Sequence, residues 1–241
     1  MCGRFSLTTS VDRLLPRLRG PLPPGLAEHY APRPQVRPGE PVLVQRQEHG
    51  ELGVGLALWG LLPEWSRDPL GAQKPSRRPI NARSETVGEK ASFRGPWRHR
   101  RALIPADGFY EWQRRTDAAT GRVGKQPWLF RRRDQAPFWL GGLWERWVGP
   151  DGGELDTCCV LTTAPNDLLR RVHDRMPVVI PDGLEEPWLA PADGPGLRAL
   201  EPLMAPWDPG AWEAVKLEVG PDRDRPASMA GRPAQLDLLL S

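Results

Sequence analysis

Hydrophobic and polar positions alternate in short runs along this chain, and few stretches carry the three-and-four spacing of a long helix. Residues 1–18 predict a short strand and then a helix, with Ser10 or Thr9 in the capping position before Val11, Leu14, Leu15 and Leu18. Residues 41–47 and 52–63 read as two strands, a hairpin across residues 48–51. Residues 66–86 form a long polar loop, and long loops in compact domains are often functional. Residues 101–115 begin as a strand and turn at Asp107-Gly108. Residues 126–133 and 136–148 predict a strand pair joined by a basic linker. Farther on, Thr157, Cys159, Leu161 and Thr163 alternate with Cys158, Val160 and Thr162, the period of a strand. A short helix follows over residues 164–175, with Asn166 or Asp167 as its cap, and then a strand over residues 176–181. No repeat and no linker interrupts the pattern. It predicts an α+β fold: a single compact strand-rich domain over residues 1–241, with short flanking helices.

Composition fits that expectation. Apolar residues make up 39% of the chain and charged residues 26%, an ordinary globular mix. The 29 prolines and 25 glycines are spread along it and imply many turns. Eleven tryptophans against two tyrosines is unusual, and packing accounts for most of them.

Net charge is only +3, but its distribution is uneven. From Arg77 to Arg133 there are fifteen Lys/Arg and five Asp/Glu; from Asp182 to Ser241 there are five and eleven. A basic middle predicts one electropositive face. Arginine supplies 29 of the 33 basic residues, and its planar fork suits phosphate. The alternative is a set of solvated surface charges.

Cys2, Cys158 and Cys159 are the only cysteines, with no CxxC pair, a reduced intracellular pattern. There is no signal-peptide core and no apolar run of membrane-spanning length. Cysteine and histidine spacing offers no zinc site, and no phosphate-binding glycine loop appears. No metal, no cofactor and no membrane partner are expected.

Four residues stand out chemically. Removal of Met1 would leave Cys2 with a free α-amine (pKa about 7.7–8.0) beside its thiol (pKa about 8.5). Such a 1,2-aminothiol adds to an aldehyde through nitrogen and then closes a ring through sulfur; no internal cysteine can. Asn81, with Arg83 and Glu85, follows the basic loop and offers an amide and a guanidinium to a phosphate or to Cys2, or else forms a polar turn. Glu111 lies between Tyr110 and Trp112, where desolvation would raise its pKa for acid–base work. The alternative is an exposed edge-strand carboxylate paired with Arg114 or Arg115. His173, beside Asp174 and Arg175, is placed to shuttle a proton, or is a hydrogen-bonded structural histidine.

Five ordered blocks gather these residues: MCGRF at the start, WGLLPEW at residues 59–65, NARSET at 81–86, RALIPADGFYEW at 101–112, and LTTAPN with HDRMPVVI between 161 and 180. They span nearly three-quarters of the chain and resemble the SRAP (SOS response-associated peptidase) family. The resemblance implies a protein that crosslinks to abasic sites in single-stranded DNA. On that basis Cys2 forms the crosslink, Asn81 positions Cys2 and the sugar, Glu111 is the acid–base group, and His173 assists proton transfer and ring opening. Arg4, Arg83 and Arg175 would contact phosphates, Thr162 would lie at the site, and Trp65 would wedge against bases. A monomeric, cytoplasmic, nucleoid-associated bacterial protein is implied. Its family name also keeps open a cysteine peptidase with an N-terminal nucleophile, and a non-covalent DNA-binding module is the third alternative. Two departures from the family pattern are Gln35, where a Tyr-Asn pair is usual, and a short C-terminal segment over residues 216–229 without an Asn-rich loop.

Overall fold

The structure, a computed structural model, describes residues 2–66, 78–116 and 121–218. Met1, most of the long polar loop and most of the departing C-terminal segment lie outside the described residues. The chain opens with β1 (Phe5–Leu7), α1 (Val11–Leu14), α2 (Leu26–His29) and β2 (Arg33–Val36). The hairpin expected across residues 48–51 is present, with β3 (Pro41–Glu48) paired to β4 (Glu51–Trp59). His49 and Gly50 turn it with φ of 52° and 87°. Two successive left-handed residues match the twist of the flanking strands, and the glycine adopts that geometry without Cβ strain.

β5 (Asn81–Arg83) and α3 (Ala91–His99) lead into β6 (Arg101–Ala106), β7 (Gly108–Thr116), β8 (Val123–Arg132), β9 (Phe138–Val148) and β10 (Glu154–Thr163). α4 (Asp167–Arg170) is capped by Asn166, whose Oδ1 accepts the Leu169 N–H at 3.0 Å. Two short strands follow, β11 (Met176–Pro177) and β12 (Val179–Ile180), then α5 (Glu185–Leu189), α6 (Gly194–Leu200) and β13 (Trp212–Lys216). Ser10 occupies the cap position of α1, but its side chain makes no capping bond there.

The strands form two sheets. β13-β8-β7-β1-β2 is an antiparallel sheet of five. In the other, the order β10-β4-β3-β6-β9 closes on itself because β9 pairs with both β6 and β10. This closed ring is a small barrel, and closure removes its free edges. The strand-rich α+β class is therefore as expected. The pairing expected between residues 126–133 and 136–148 is not. β8 pairs with β7 and β13, while β9 pairs with β6, β10 and β12. Gly142 explains the place of β9: a Cβ there would stand 2.9 Å from the Cys159 carbonyl oxygen, so glycine permits the close approach to β10.

β10 organises the rest. Both its faces are buried. Cys158 and Val160 join the first core with Phe5, Trp59, Ile104 and Phe109. Cys159 and Leu161 face a second core with Trp97, Trp139 and Trp188. Among the described residues Trp65 is the one exposed tryptophan, at 62%. Burying a large apolar side chain stabilises by about 1.5–3 kcal/mol, so packing accounts for most of the indoles. β4 runs parallel to β10 as far as Cys158↔Trp59, and β5 resumes the same ladder at Val160↔Asn81. The chain thus leaves β10 at residue 60 and returns to it at residue 80, delivering Asn81 to the ladder.

Candidate active site

The amino-terminal segment is fixed at three points. Phe5 pairs with Phe109 and Val36, and the Tyr110 N–H donates to the Arg4 carbonyl at 2.9 Å. Beyond β1, the Asp107 carboxylate accepts both N–H groups and both hydroxyls of Thr8 and Thr9, the two hydroxyls at 2.8 and 2.6 Å. At the other end Asn81 Nδ2 donates to the Cys2 carbonyl oxygen at 3.0 Å. Asn81 Oδ1 is buried and has no hydrogen-bond partner among the described residues, which leaves an acceptor beside Cys2.

Cys2 has no exposed surface, and burial, with the Glu111 charge adding to it, pushes its thiol well above the usual range. Glu111 is 2% exposed on β7, where the buried half of that strand gives way to the exposed half. β7 lies between β1 and β8, so Glu111 is not on an edge. Burial raises its carboxyl to about 7, the range in which a carboxyl both gives and takes protons near neutrality.

His173 follows α4, its N–H bonded to the Leu169 carbonyl at 2.9 Å. Its Nε2 stands 3.9 Å from Glu111 Oε2. Its Nδ1 lies 3.0 Å from the Arg175 backbone N–H and 2.9 Å from Asp174 Oδ1. Those two contacts demand opposite protonation of Nδ1. Burial lowers the pKa of His173, which favours the neutral ring. We therefore assign Nδ1 as acceptor from Arg175 and Nε2 as the protonated nitrogen facing Glu111.

Arg175 is held by Glu85, at 2.6 and 2.8 Å, and by the Thr162 carbonyl at 2.6 Å. A phosphate would have to take the place of Glu85 to obtain the same fork. Thr162 is buried, with its hydroxyl 3.4 Å from the Ala82 carbonyl oxygen. Arg83 is exposed at the end of β5, and Arg4 lies over the Trp112 ring, 4.9 Å from its centroid. Trp65 projects from the turn after β4, and the following residue is tethered by Trp147 Nε1 donating to the Ser66 carbonyl at 2.8 Å. Gln35 sits on β2 and accepts from Arg37 at 2.9 Å.

Cys2, Asn81, Glu111 and His173 thus converge, with Thr162, Arg175 and Glu85 beside them. Two pairings at the site had no signal in the sequence. Asp107 reads as a turn residue, although its partners lie 98 and 99 residues away. Glu85 has no local cue for its pairing with Arg175. Among the described residues no group of three or more His, Cys, Asp or Glu side chains could hold a metal ion, and no helix is long and apolar enough to cross a membrane.

The family model for SOS response associated peptidase (SRAP) matches residues 1–221. This chain belongs to the SRAP family. Among SRAP relatives, the abasic site processing protein YoqW of Bacillus subtilis (strain 168) is 37% identical over 219 residues, 90% of this chain and 92% of the relative. The abasic site processing protein YedK of Escherichia coli (strain K12) is 29% identical over 198 residues, 78% of this chain and 79% of the relative. A crystal structure of a Bacteroides thetaiotaomicron protein shares the fold seen here. Its TM-score is 0.77 at 24% identity, covering 90% of this chain and 92% of that one.

Proposed function

We propose that this protein processes abasic sites in single-stranded DNA by forming a covalent thiazolidine through Cys2. The observation that carries the proposal is the convergence of Cys2, Asn81, Glu111 and His173, with Glu111 held near neutrality by burial. Membership of the SRAP family and the abasic-site names of its relatives support the same substrate.

Removal of Met1 leaves the Cys2 α-amine beside its thiol. His173 assists opening of the abasic sugar to its aldehyde. The amine nitrogen attacks the aldehyde carbon, and a proton moves to the oxygen to give a carbinolamine. Protonated Glu111 donates to that hydroxyl, which leaves as water while the carbon–nitrogen double bond forms. Glu111 is then a carboxylate and takes the thiol proton. Burial disfavours a free thiolate at Cys2, so this transfer is required at the moment sulfur attacks. The new carbon–sulfur bond closes the ring and restores a neutral ring nitrogen. One water is released per adduct. Asn81 holds the Cys2 carbonyl throughout, and its spare oxygen is available to the incoming sugar. Arg4 and Arg83 engage flanking phosphates, Arg175 takes another in exchange for Glu85, and Trp65 stacks on a base, a contact worth about 1–3 kcal/mol.

The test is a denaturing gel of the purified protein with single-stranded DNA carrying one abasic site. A slow band is expected for the parent and not for Cys2→Ser. Cys2→Ala keeps an amine and is expected to give only an adduct trapped by borohydride. Cys2-dependent cleavage of peptides without any DNA adduct would favour the N-terminal-nucleophile peptidase. Equal DNA binding by parent and Cys2→Ala, with no adduct from either, would favour a non-covalent binder.

A further inference from the structure

The ring of His173 stands on a segment that cannot hold itself in place. α4 is one turn long, and a helix that short has little stability of its own in water, so its position comes from what it touches. Its start is well anchored. Leu169 is fully buried in the first core, and Asn166 Nδ2 donates to the Trp207 carbonyl at 3.0 Å. Its end is shaped mainly by itself. The Val172 and His173 N–H groups both donate to the Leu169 carbonyl, at 2.8 and 2.9 Å, and the Arg175 N–H donates to His173 Nδ1. Those bonds all lie within residues 169–175 and fix nothing relative to β7, the strand that carries Glu111. Val172 rests against the first core, but apolar contact is non-directional.

A bond from β7 crosses that gap. Gln113 Nε2 donates to the Arg171 carbonyl at 2.7 Å. Arg171 is the C-cap of α4, and carbonyls at a helix end have no partner inside the helix, so this one needs an outside donor. The acceptor also fixes the amide: turned over, Gln113 Oε1 would face another oxygen. The strand at Gln113 is firmly held, since the β7–β8 ladder runs without a shift from Gly108↔Arg131 to Thr116↔Val123, with Gln113 opposite Gln126. In that regular ladder Glu111 and Gln113 lie on one face, about 7 Å apart. Arg171 and His173 are likewise two residues apart. Glu111, Gln113, Arg171 and His173 therefore close a circuit. Two short pieces of backbone are joined at one end by the 2.7 Å bond, and at the other Glu111 Oε2 meets His173 Nε2 across 3.9 Å. Loss of the bond opens the circuit and lets the imidazole shift against the carboxyl.

We propose that Gln113 is a positioning residue for the reaction at Cys2: its amide holds the end of α4 against β7 and so sets where His173 Nε2 meets Glu111 Oε2. Gln113 itself moves no proton, because a neutral amide does not titrate near neutrality. The inference rests on the reading that Glu111 and His173 serve the crosslinking of an abasic site, and it adds a residue that acts through His173.

The test compares crosslinking rates of the full-length protein on single-stranded DNA carrying one abasic site. Gln113→Met, of similar length but without a donor, is expected to react about 10–10²-fold more slowly, up to the scale of a 1 Å misplacement, with non-covalent DNA binding within about twofold. Gln113→Lys keeps a donor of sufficient reach and is expected to stay within about threefold of the parent rate. In a His173→Gln background, Gln113→Met is expected to add no more than about a further twofold, since a residue that acts through His173 then has nothing left to position. An equal loss in both backgrounds would overturn the proposal and make Gln113 a general structural support. A parental rate in Gln113→Met, DNA binding that falls with the rate, or Gln113→Lys as slow as Gln113→Met would overturn it too. Hydrogen exchange of the DNA-free protein reads the tether without any reaction. Gln113→Met is expected to raise exchange at Val172 and His173, and unchanged exchange there would contradict the proposal. Absence of an adduct from the parent protein would count against the crosslinking reading, and the exchange measurement alone would then decide whether the tether exists.

Discussion

Glu111 Oε2 and His173 Nε2 face each other across 3.9 Å, one on a central strand and the other just beyond a one-turn helix. Burial acts on both in opposite directions: it raises the carboxyl to about 7 and lowers the imidazole below its usual value. Both shifts favour the neutral forms, so near pH 7 a neutral imidazole presents its Nε2–H to a carboxyl that can hold or release its proton. Each shift also has a consequence for stability.

For Glu111 the folded state binds its proton more tightly than the unfolded chain does. Its contribution to stability therefore falls as pH rises from about 4.5 to about 7, and the full penalty remains above that range. Glu111→Gln removes the penalty. Thermal melts at pH 8 are expected to show the variant more stable, on the order of 1–3 kcal/mol, with the gain disappearing toward pH 4.5. Its crosslinking rate is expected to fall about 10²–10⁴-fold, the usual scale of general acid–base catalysis. Quenched time courses on denaturing gels measure that loss.

For His173 the folded state disfavours the charged ring, so its contribution to stability is lost as pH falls below about 6.5. His173→Gln keeps a polar side chain without the titration. It is expected to crosslink more slowly with DNA binding within about twofold, and to melt with less dependence on pH between 6.5 and 5. An equal loss of binding and rate would assign His173 to DNA contact and not to proton transfer.

Asp107 gathers four donors from Thr8 and Thr9 and so fixes the segment that carries Cys2. Asp107→Ala leaves those donors without their acceptor. The expected loss is roughly 2–4 kcal/mol in denaturant unfolding, since bonds to a charged acceptor contribute about 1.5–3 kcal/mol each and do not add fully. Hydrogen exchange is expected to rise selectively at residues 5–9.

Glu85 holds Arg175 by both oxygens, and Arg175 in turn holds His173 through its backbone N–H. The guanidinium keeps the Glu85 carboxyl below its usual range. That contribution is present above the unfolded pKa and is lost as pH falls through the lower, folded value. Because Glu85 is half exposed, the pair contributes only about 0–1 kcal/mol. Glu85→Gln is therefore expected to melt nearly as the parent does. It is also expected to bind single-stranded DNA a few-fold more tightly at low salt, because Arg175 no longer has to exchange a carboxylate for a phosphate. Fluorescence anisotropy decides it, and weaker binding would contradict the exchange.

Local chemistry was readable in the sequence, and long-range pairing was not. The His49-Gly50 turn, the Asn166 cap and the alternation through Cys158 and Cys159 each depend on neighbours a few residues apart, and all three are present. Residues 126–133 and 136–148 both have the apolar spacing of strands, which says nothing about the partner, and they pair elsewhere. Close approaches such as that of Gly142 to Cys159 decide the partner, and they exist only after folding. The same holds for the site. The family blocks mark Cys2, Asn81, Glu111 and His173, while the bonds from Asp107 and Glu85 cross about ninety residues or more without any periodic trace.

The central claim is that a processed N-terminal cysteine joins the lesion through both nitrogen and sulfur. Intact mass spectrometry of the purified protein, before and after reaction with a single-stranded oligonucleotide bearing one abasic site, tests it most directly. The account predicts a protein that begins at Cys2 and an adduct equal to protein plus DNA less one water that keeps this mass under borohydride, whereas an imine of the same mass would gain two hydrogens. An adduct that retains Met1, or an N-acetylated Cys2 that crosslinks equally well, would contradict it.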